Sequence, residues 1–233
     1  ARSITSCYRT APMGYNWPDN WEEKPLLQRL ENNRAWFIDG SSKHIDAVIL
    51  CTGYKHHFPF LPDELSLKTD NRLWPMNLYK GVFWEARLIY LGMQDQWYSF
   101  NMFDAQAWYA RDVILGRIEL PGQAEMIADS RQWHEREQTL QTNQQMFEYQ
   151  GAYIQHLVDA TDYPDFDIAA VNQTFLHWKH DKAQNIMGYR DKSYRSLMTG
   201  TQSPPHHTPW LQALDDSMAA YLGEPPAAIK SVG

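Results

Sequence analysis

The amino-acid sequence predicts an α/β protein in which strands come first and helices last. Three observations carry that prediction. Short β-branched and apolar runs separated by turn residues fill the first part of the chain. One of them, Ile45 to Thr52, is nearly continuous in its apolar character, as for a strand buried on both faces of a mostly parallel sheet. From Asn101 the period changes, and Phe103, Ala107, Ala110, Val113 and Ile114 recur at helical spacing.

Taken in order, Ser3 to Tyr8 reads as a strand with Arg9 and Thr10 at its carboxyl end. A loop rich in Pro, Gly, Asn and Trp follows, from Ala11 to Trp21. Leu26 to Leu30 and Arg34 to Ile38 are short strands flanking the turn signal Glu31-Asn32-Asn33. A second turn, Asp39 to Ser42, leads into the Ile45 to Thr52 run, which Gly53 ends. An aromatic, proline-bearing excursion comes next, from Tyr54 to Leu65. Tyr79 to Trp84 and Arg87 to Leu91 read as two further strands with a very tight join, Trp84 to Arg87. After the helix near Asn101, helical patterns span Gln123 to about Ala160 with a break near Gly151, then Ile168 to Met187, then Trp210 to Leu222.

The chain has 233 residues, 43% of them hydrophobic, enough to bury a real core as one large or two small domains. A formal net charge of −7 argues against broad electrostatic binding to nucleic acid or to an anionic membrane. No apolar run approaches the roughly 20 residues of a membrane-spanning helix. Ten tryptophans and thirteen tyrosines predict aromatic-lined pockets or interfaces. The two cysteines, Cys7 and Cys51, sit in apolar strand-like runs, which fits a reducing, cytoplasmic setting. Ala1-Arg2-Ser3-Ile4 leads straight into a strand pattern, so no signal peptide is expected and the sequence reads as though something upstream is missing.

Four places have chemical promise. Arg9 and Thr10 could bind an anion at a strand end, because a guanidinium matches phosphate with two prongs and a hydroxyl adds a donor. A solvated surface arginine is the bland alternative. Thr52-Gly53-Tyr54 ends an apolar run with a turn where the missing glycine side chain lets backbone approach a cofactor. An ordinary strand end explains it as well. The stretch Gly92-Met93-Gln94-Asp95-Gln96, followed by Trp97, Tyr98, Ser99 and Phe100, places polar side chains before a helix amino terminus, which favours negative charge. It reads either as a cradle for a flat polar ligand or as a helix capped by Ser99 or Asn101. The histidine groups His56-His57, His177 with His180, and His206-His207 lack a matched third ligand, so no metal site is expected.

Longer segments carry a resemblance. "SCYRTAPMGYNWPDNW", "DAVILCTGYKHHFPFL", "RLWPMNLYKGVFWE", "YLGMQDQWYSFNMFDAQAWYARDV" and "SYRSLMTGT…HHTPW" resemble, in this order, the bacterial flavin-containing monooxygenases, above all their trimethylamine monooxygenase branch. The resemblance covers nearly the whole chain but only the carboxyl-terminal half of that family. The glycines here nowhere form the G-x-G-x-x-G turn that holds the FAD pyrophosphate, and the join at Trp84 to Arg87 looks shorter than the family pattern.

The resemblance implies a Rossmann-like flavoprotein with two dinucleotide-binding domains, for FAD and for NADPH, and a helical carboxyl-terminal region. Residues 1–45 would then end the NADPH-binding domain and the crossover, 46–116 complete the FAD-binding domain, and 117–233 form a helical tail packed on it. The implied activity is N-oxygenation of trimethylamine, a small tertiary amine, to its N-oxide with O2, through a C4a-hydroperoxyflavin. By residue, the resemblance implies Arg9 and Thr10 on the NADP 2′-phosphate, Asp95 as an active-site acid near flavin and nicotinamide, Gln96 and Ser99 on the flavin, and Thr52 and Gly53 near the domain crossover. It also implies a homodimer and a missing amino-terminal half as partner. Two competing readings are a non-catalytic assembly module and a flavin monooxygenase for other amines or sulfides.

Overall fold

A computed structural model of the chain describes residues 1–53, 57–67, 73, 78–83 and 88–202. The expected helix at Trp210 to Leu222, the tight join at Trp84 to Arg87, and Tyr54, His56, His206 and His207 lie outside the described residues.

Strand β1 (Ile4–Tyr8) pairs in parallel with β2 (Trp21–Pro25), Ile4 opposite Trp21 and Tyr8 opposite Pro25. Strand β2 is polar and ends in proline, so its sequence reads as loop, and its pairing with β1 is what makes it a strand. The connecting loop folds back on Glu23, whose carboxylate accepts from the Met13 and Gly14 amides at 2.9 and 3.2 Å. Trp21 donates to Ser6 Oγ at 2.9 Å and stacks on Trp17 with ring centres 4.4 Å apart.

Strands β3 (Leu27–Glu31), β4 (Arg34–Phe37) and β5 (Ser42–His44) form an antiparallel sheet. Asn32 and Asn33 turn β3 into β4 with φ of 48° and 59°, a left-handed pair that asparagine tolerates. Lys43 on β5 ties this sheet to the first through Glu22 and Thr5. Its ammonium holds the Glu22 carboxyl below the usual carboxylate range.

The expected strand at Ile45 to Thr52 does not form. Residues 45–53, just beyond β5, carry no ladder, and Ile49 and Leu50 are 86% and 79% exposed. A strand buried on both faces needs a neighbour on either edge and a layer over each side, and among the described residues this segment joins no sheet, its Ile45 amide alone donating to the Asn33 carbonyl at 2.9 Å. Cys7 and Cys51 are likewise exposed rather than embedded.

Two short strands, β6 (Val82–Phe83) and β7 (Leu88–Ile89), make an antiparallel pair beneath a small cluster of Leu67, Leu78, Phe83, Tyr90 and Met93. The main core lies among the helices α1 (Phe100–Ile114), α2 (Gln123–Gln138), α3 (Asn143–Asp159) and α4 (Ile168–Gln184). Its fully buried side chains include Met102, Phe147, Tyr149, Tyr153, Ile154 and Leu157. The inward face of α1 is Met102, Ala105, Gln106, Tyr109 and Ala110, while Phe103, Ala107 and Ile114 face outward. Of the expected stripe, Ala110 and Val113 do face the core; hydropathy misses Gln106 and Asp112 because these buried residues are polar and partnered.

The helical hairpin breaks at 139–142, not near Gly151. Thr142 caps α3: its hydroxyl accepts from the Gln145 amide at 3.2 Å, and the Gln145 side chain accepts from the Thr142 amide at 3.1 Å. Gly151 lies inside α3 because helix contact requires it. A Cβ there would sit 2.7 Å from Ile168 Cγ2 and 3.0 Å from the Tyr98 hydroxyl.

Two outcomes follow. Alanine gains about 1 kcal/mol over glycine in a helix, but overpacking costs about 1–3 kcal/mol. Ile168 is β-branched and close to its own backbone, so Gly151→Ala should lower the thermal midpoint; a higher midpoint would contradict the contact. The Asp112 carboxyl, bonded to Arg111 at 2.8 Å and to Arg117 at 3.2 Å, is held below the usual range chiefly by Arg111. Its stabilisation is therefore present above the unfolded value of about 3.9 and is lost as pH falls through the folded value. Asp112→Asn should flatten the acid limb of a stability–pH curve measured by denaturant unfolding.

Candidate functional site

Between β7 and α1 the chain follows a turn that belongs to neither. Gly92 has φ of +71°, and a Cβ on it would lie 2.4 Å from Phe103 Cε1. The left-handed φ favours glycine there, and any side chain would have to displace that ring. Phe103, though on the outward side of α1, therefore sits over the turn.

The turn's peptide groups are satisfied by side chains. Gln106 Oε1 accepts from the Gly92 amide at 2.8 Å, and its Nε2 donates to Gln94 Oε1 at 3.0 Å and to the Tyr153 hydroxyl at 2.9 Å. Gln150 Oε1 accepts from the Trp97 amide at 2.8 Å, and its Nε2 donates to the Asp95 carbonyl. Gln96 Nε2 donates to the Gly92 carbonyl at 3.0 Å. Burial pushes the Tyr153 hydroxyl up to about 12, so it stays protonated at any working pH. The Tyr98 hydroxyl lies 2.7 Å from Asn172 Oδ1 and joins the turn to α4. Trp97 stands edge-on to Phe147, ring centres 5.0 Å apart, with the Lys179 ammonium 4.8 Å over its own ring.

Two groups on this turn are left without partners among the described residues. Gln96 Oε1 is buried and accepts no hydrogen bond, and the Trp97 indole N–H is buried and donates none. The amino end of α1 is also uncapped. Ser99 precedes the helix with φ of 44° and makes no side-chain cap bond. Asn101 lies within the helix and its amide contacts Met198 Sδ. So neither side chain caps the helix; the Asn101 and Phe103 amides bond the Tyr98 and Ser99 carbonyls at 3.2 and 3.1 Å, and Asp95 and Ser99 are exposed. Asp95 and Trp97 further border a cleft of about 300 Å³ shared with Glu137, Leu140 and Met146.

The structure thus brings Asp95, Gln96 and Ser99 onto one turn. Arg9 and Thr10 stand exposed at the end of β1. Their loop reaches the helical region at Tyr15, whose ring lies 5.7 Å from the Lys182 ammonium on α4. Thr52 and Gly53 lie in the exposed segment beyond β5, where a Cβ on Gly53 would meet open space. Among the described residues no three His, Cys, Asp or Glu side chains converge as metal ligands, and no helix is long and apolar enough to cross a membrane. Sequence reasoning missed Gln106, Gln150 and Tyr98. The signal for the first two was a lone glutamine among small or apolar neighbours, in Ala105-Gln106-Ala107 and Gln150-Gly151-Ala152.

Comparison with known proteins bears on this turn. Residues 21–171 match the family model described as FMO-like, flavin-binding monooxygenase-like. The chain belongs to the flavin-binding monooxygenase-like family. A trimethylamine monooxygenase of Roseovarius sp. (strain 217) is 58% identical over 223 residues, covering 95% of this chain and 50% of the relative. One from Methylocella silvestris is 55% identical over 230 residues, covering 98% and 51%. The crystal structure of Tmm from Pelagibacter sp. strain HTCC7211 superposes with a TM-score of 0.84 at 47% identity, over 95% of this chain and 51% of that one. The chain spans about half the length of the curated relatives it matches.

The flavin that gives the family its name fits the residues of the turn. A flavin's pyrimidine edge offers one N–H donor between two carbonyl acceptors. Gln96 Oε1 is a buried acceptor with no partner among the described residues, and no side chain caps the α1 amino end, whose dipole favours an electron-rich group. In this flavin-binding family member, Gly92→Ala should be costly on two counts. The left-handed conformation disfavours alanine by about 1–2 kcal/mol, and the new methyl collides with Phe103. About 2–4 °C of midpoint is expected per kcal/mol lost at this chain size. A calorimetric scan showing an unchanged midpoint would contradict the close contact.

Proposed function

We propose that this chain forms the flavin- and nicotinamide-facing part of an FAD- and NADPH-dependent monooxygenase that converts trimethylamine to trimethylamine N-oxide. The observation that carries the reading is the Gly92–Ser99 turn, with an unpartnered buried Gln96 Oε1, an exposed Asp95 carboxylate and an uncapped helix amino terminus side by side. The 58% identity to a trimethylamine monooxygenase supports the choice of substrate.

When bound, the flavin supplies hydride acceptance from NADPH and activation of O2. The chain's own residues do the rest. Gln96 accepts from the flavin ring through Oε1. Ser99 and the first N–H groups of α1 stabilise negative charge at the ring's edge. Asp95 orients the nicotinamide and holds a proton between turnovers. Arg9 and Thr10 bind the 2′-phosphate that distinguishes NADPH from NADH. Thr52 and Gly53 lie near the crossover between two dinucleotide-binding domains. One oxygen atom of O2 goes to the amine nitrogen's lone pair and the other leaves as water, with NADPH supplying two electrons. Residues 1–45 belong in this reading to the NADPH-binding domain, 46–116 to the FAD-binding domain and 117–233 to the helical tail. The working assembly is a homodimer in which an amino-terminal region supplies the pyrophosphate cradle.

The reading is tested by joining this chain to the half of the Roseovarius relative that it does not cover. The joined protein should bind flavin and form the N-oxide at the expense of NADPH and O2, while this chain alone should not hold FAD tightly. If this chain alone purified with stoichiometric flavin and NADPH-dependent oxygen uptake, the half-site reading would be wrong. Flavin binding without N-oxide would overturn the substrate. In the joined protein, Arg9→Ala should raise the KM for NADPH about tenfold, the loss of one charge-assisted hydrogen bond pair, and narrow the preference over NADH. An unchanged preference removes Arg9 from the phosphate site.

A further inference from the structure

Gln106 and Gln150 are each only 1% exposed, in a core otherwise built of aromatic and aliphatic side chains. An apolar residue of the same size would fill either place. What the amides add is a set of bonds to one non-helical, non-strand segment. Gln106 reaches it from α1 and Gln150 from α3. We propose that these two glutamines are positioning residues that clamp the main chain of the Gly92–Trp97 turn and so aim Asp95 and Gln96 at the cofactor. The inference rests on the reading of that turn given above.

The geometry of Gln150 is the stronger half of the argument. Its amide bonds the Asp95 carbonyl on one side and the Trp97 amide on the other. Those groups belong to the two peptide units that flank the Cα of Gln96. Fixing both peptide planes fixes φ and ψ at Gln96 and hence the direction in which its side chain leaves the backbone. Gln106 fixes the other end by accepting from the Gly92 amide, while Gln96 Nε2 donates to the Gly92 carbonyl. The Gln96 amide is thereby held through its nitrogen, and its Oε1 is the group left over. Asp95 is held by its carbonyl from behind while its carboxylate remains exposed.

The residue type is required by the chemistry. A primary amide is neutral and offers an acceptor and donors on one plane, so it can bond an N–H and a C=O without burying charge. Glutamate would accept but not donate, and methionine would do neither. Both Gln106 N–H groups are satisfied, by Gln94 and Tyr153.

The test uses the joined protein with flavin bound. Gln150→Met keeps the side chain's length and removes both bonds. Tyr149→Phe, one residue away on α3, is the control, since it removes a buried hydrogen bond to the Trp133 carbonyl that does not involve the turn. Hydrogen exchange of the peptide spanning 92–97, the flavin absorption spectrum and the rate of flavin reduction by NADPH are measured for each. Gln150→Met should speed exchange in 92–97 and slow flavin reduction, each about tenfold, and shift the spectrum with flavin still bound. Tyr149→Phe should leave all three readouts near the parent. Gln106→Met should give the same signature from the Gly92 end, and it decides the matter where Gln150→Met does not fold. Unchanged exchange in both methionine variants overturns the clamp. Faster exchange with the spectrum and reduction rate of the control overturns its bearing on the cofactor. An impaired Asp95→Asn beside an unimpaired Gln150→Met overturns this inference alone. An unimpaired Asp95→Asn overturns the assignment of the turn itself, and the inference with it.

Discussion

A peptide turn with no ladder of its own has to find hydrogen bonds elsewhere, and the rest of the candidate site depends on how this one finds them. The segment from Gly92 to Trp97 belongs to neither a helix nor a sheet. Two buried amides, from α1 and α3, supply its partners. Because an unmet peptide group in the interior costs about 1–3 kcal/mol, the turn keeps one arrangement as long as those helices keep their places. The exposed Asp95 carboxylate and the unpartnered Gln96 oxygen inherit their positions from that arrangement.

The helices are held in turn by close contact and ring packing. Gly151 lets α3 approach Tyr98 and Ile168, and the Tyr98 hydroxyl then bonds Asn172 on α4. Phe147 packs edge to face on Trp97, and Tyr149 and Tyr153 on Trp133, while Gln150 lies 1% exposed on the same helix. Core and site are therefore not separable here: the residues that stabilise the α1–α3 contact also set the shape of the turn. The strand region is connected more lightly, through Lys43 between its two sheets and Tyr15 against Lys182.

Much of this was legible in the residues. The strand before Arg9, the Asn32-Asn33 hairpin and the helix after Ser99 follow from local rules of turn chemistry and periodicity. The candidate residues Asp95, Gln96 and Ser99 were legible as a polar interruption between an apolar run and a helix. Three features were not. Strand β2 looks like loop because its residues are polar, and a parallel partner distant in sequence decides it. The Ile45 to Thr52 run looks like a central strand, yet local β-propensity cannot supply the neighbouring strands that a ladder needs. The inward face of α1 was legible only at Ala110 and Val113, because buried, bonded Gln106 and Asp112 count as polar in any hydropathy pattern.

The sequence by itself determined the order of elements, the turns, the aromatic character of the core and the family to which the chain belongs. Those properties are local or cumulative, and each residue carries its share without reference to distant partners. Only the tertiary structure decided that Ser99 and Asn101 leave the helix uncapped and that Gly151 is a contact point rather than a break. It alone revealed that Gln106 and Gln150, 44 residues apart in the sequence (150 − 106), converge on one turn. A hydrogen bond between distant segments depends on where two helices cross, and no pattern within either helix records the crossing.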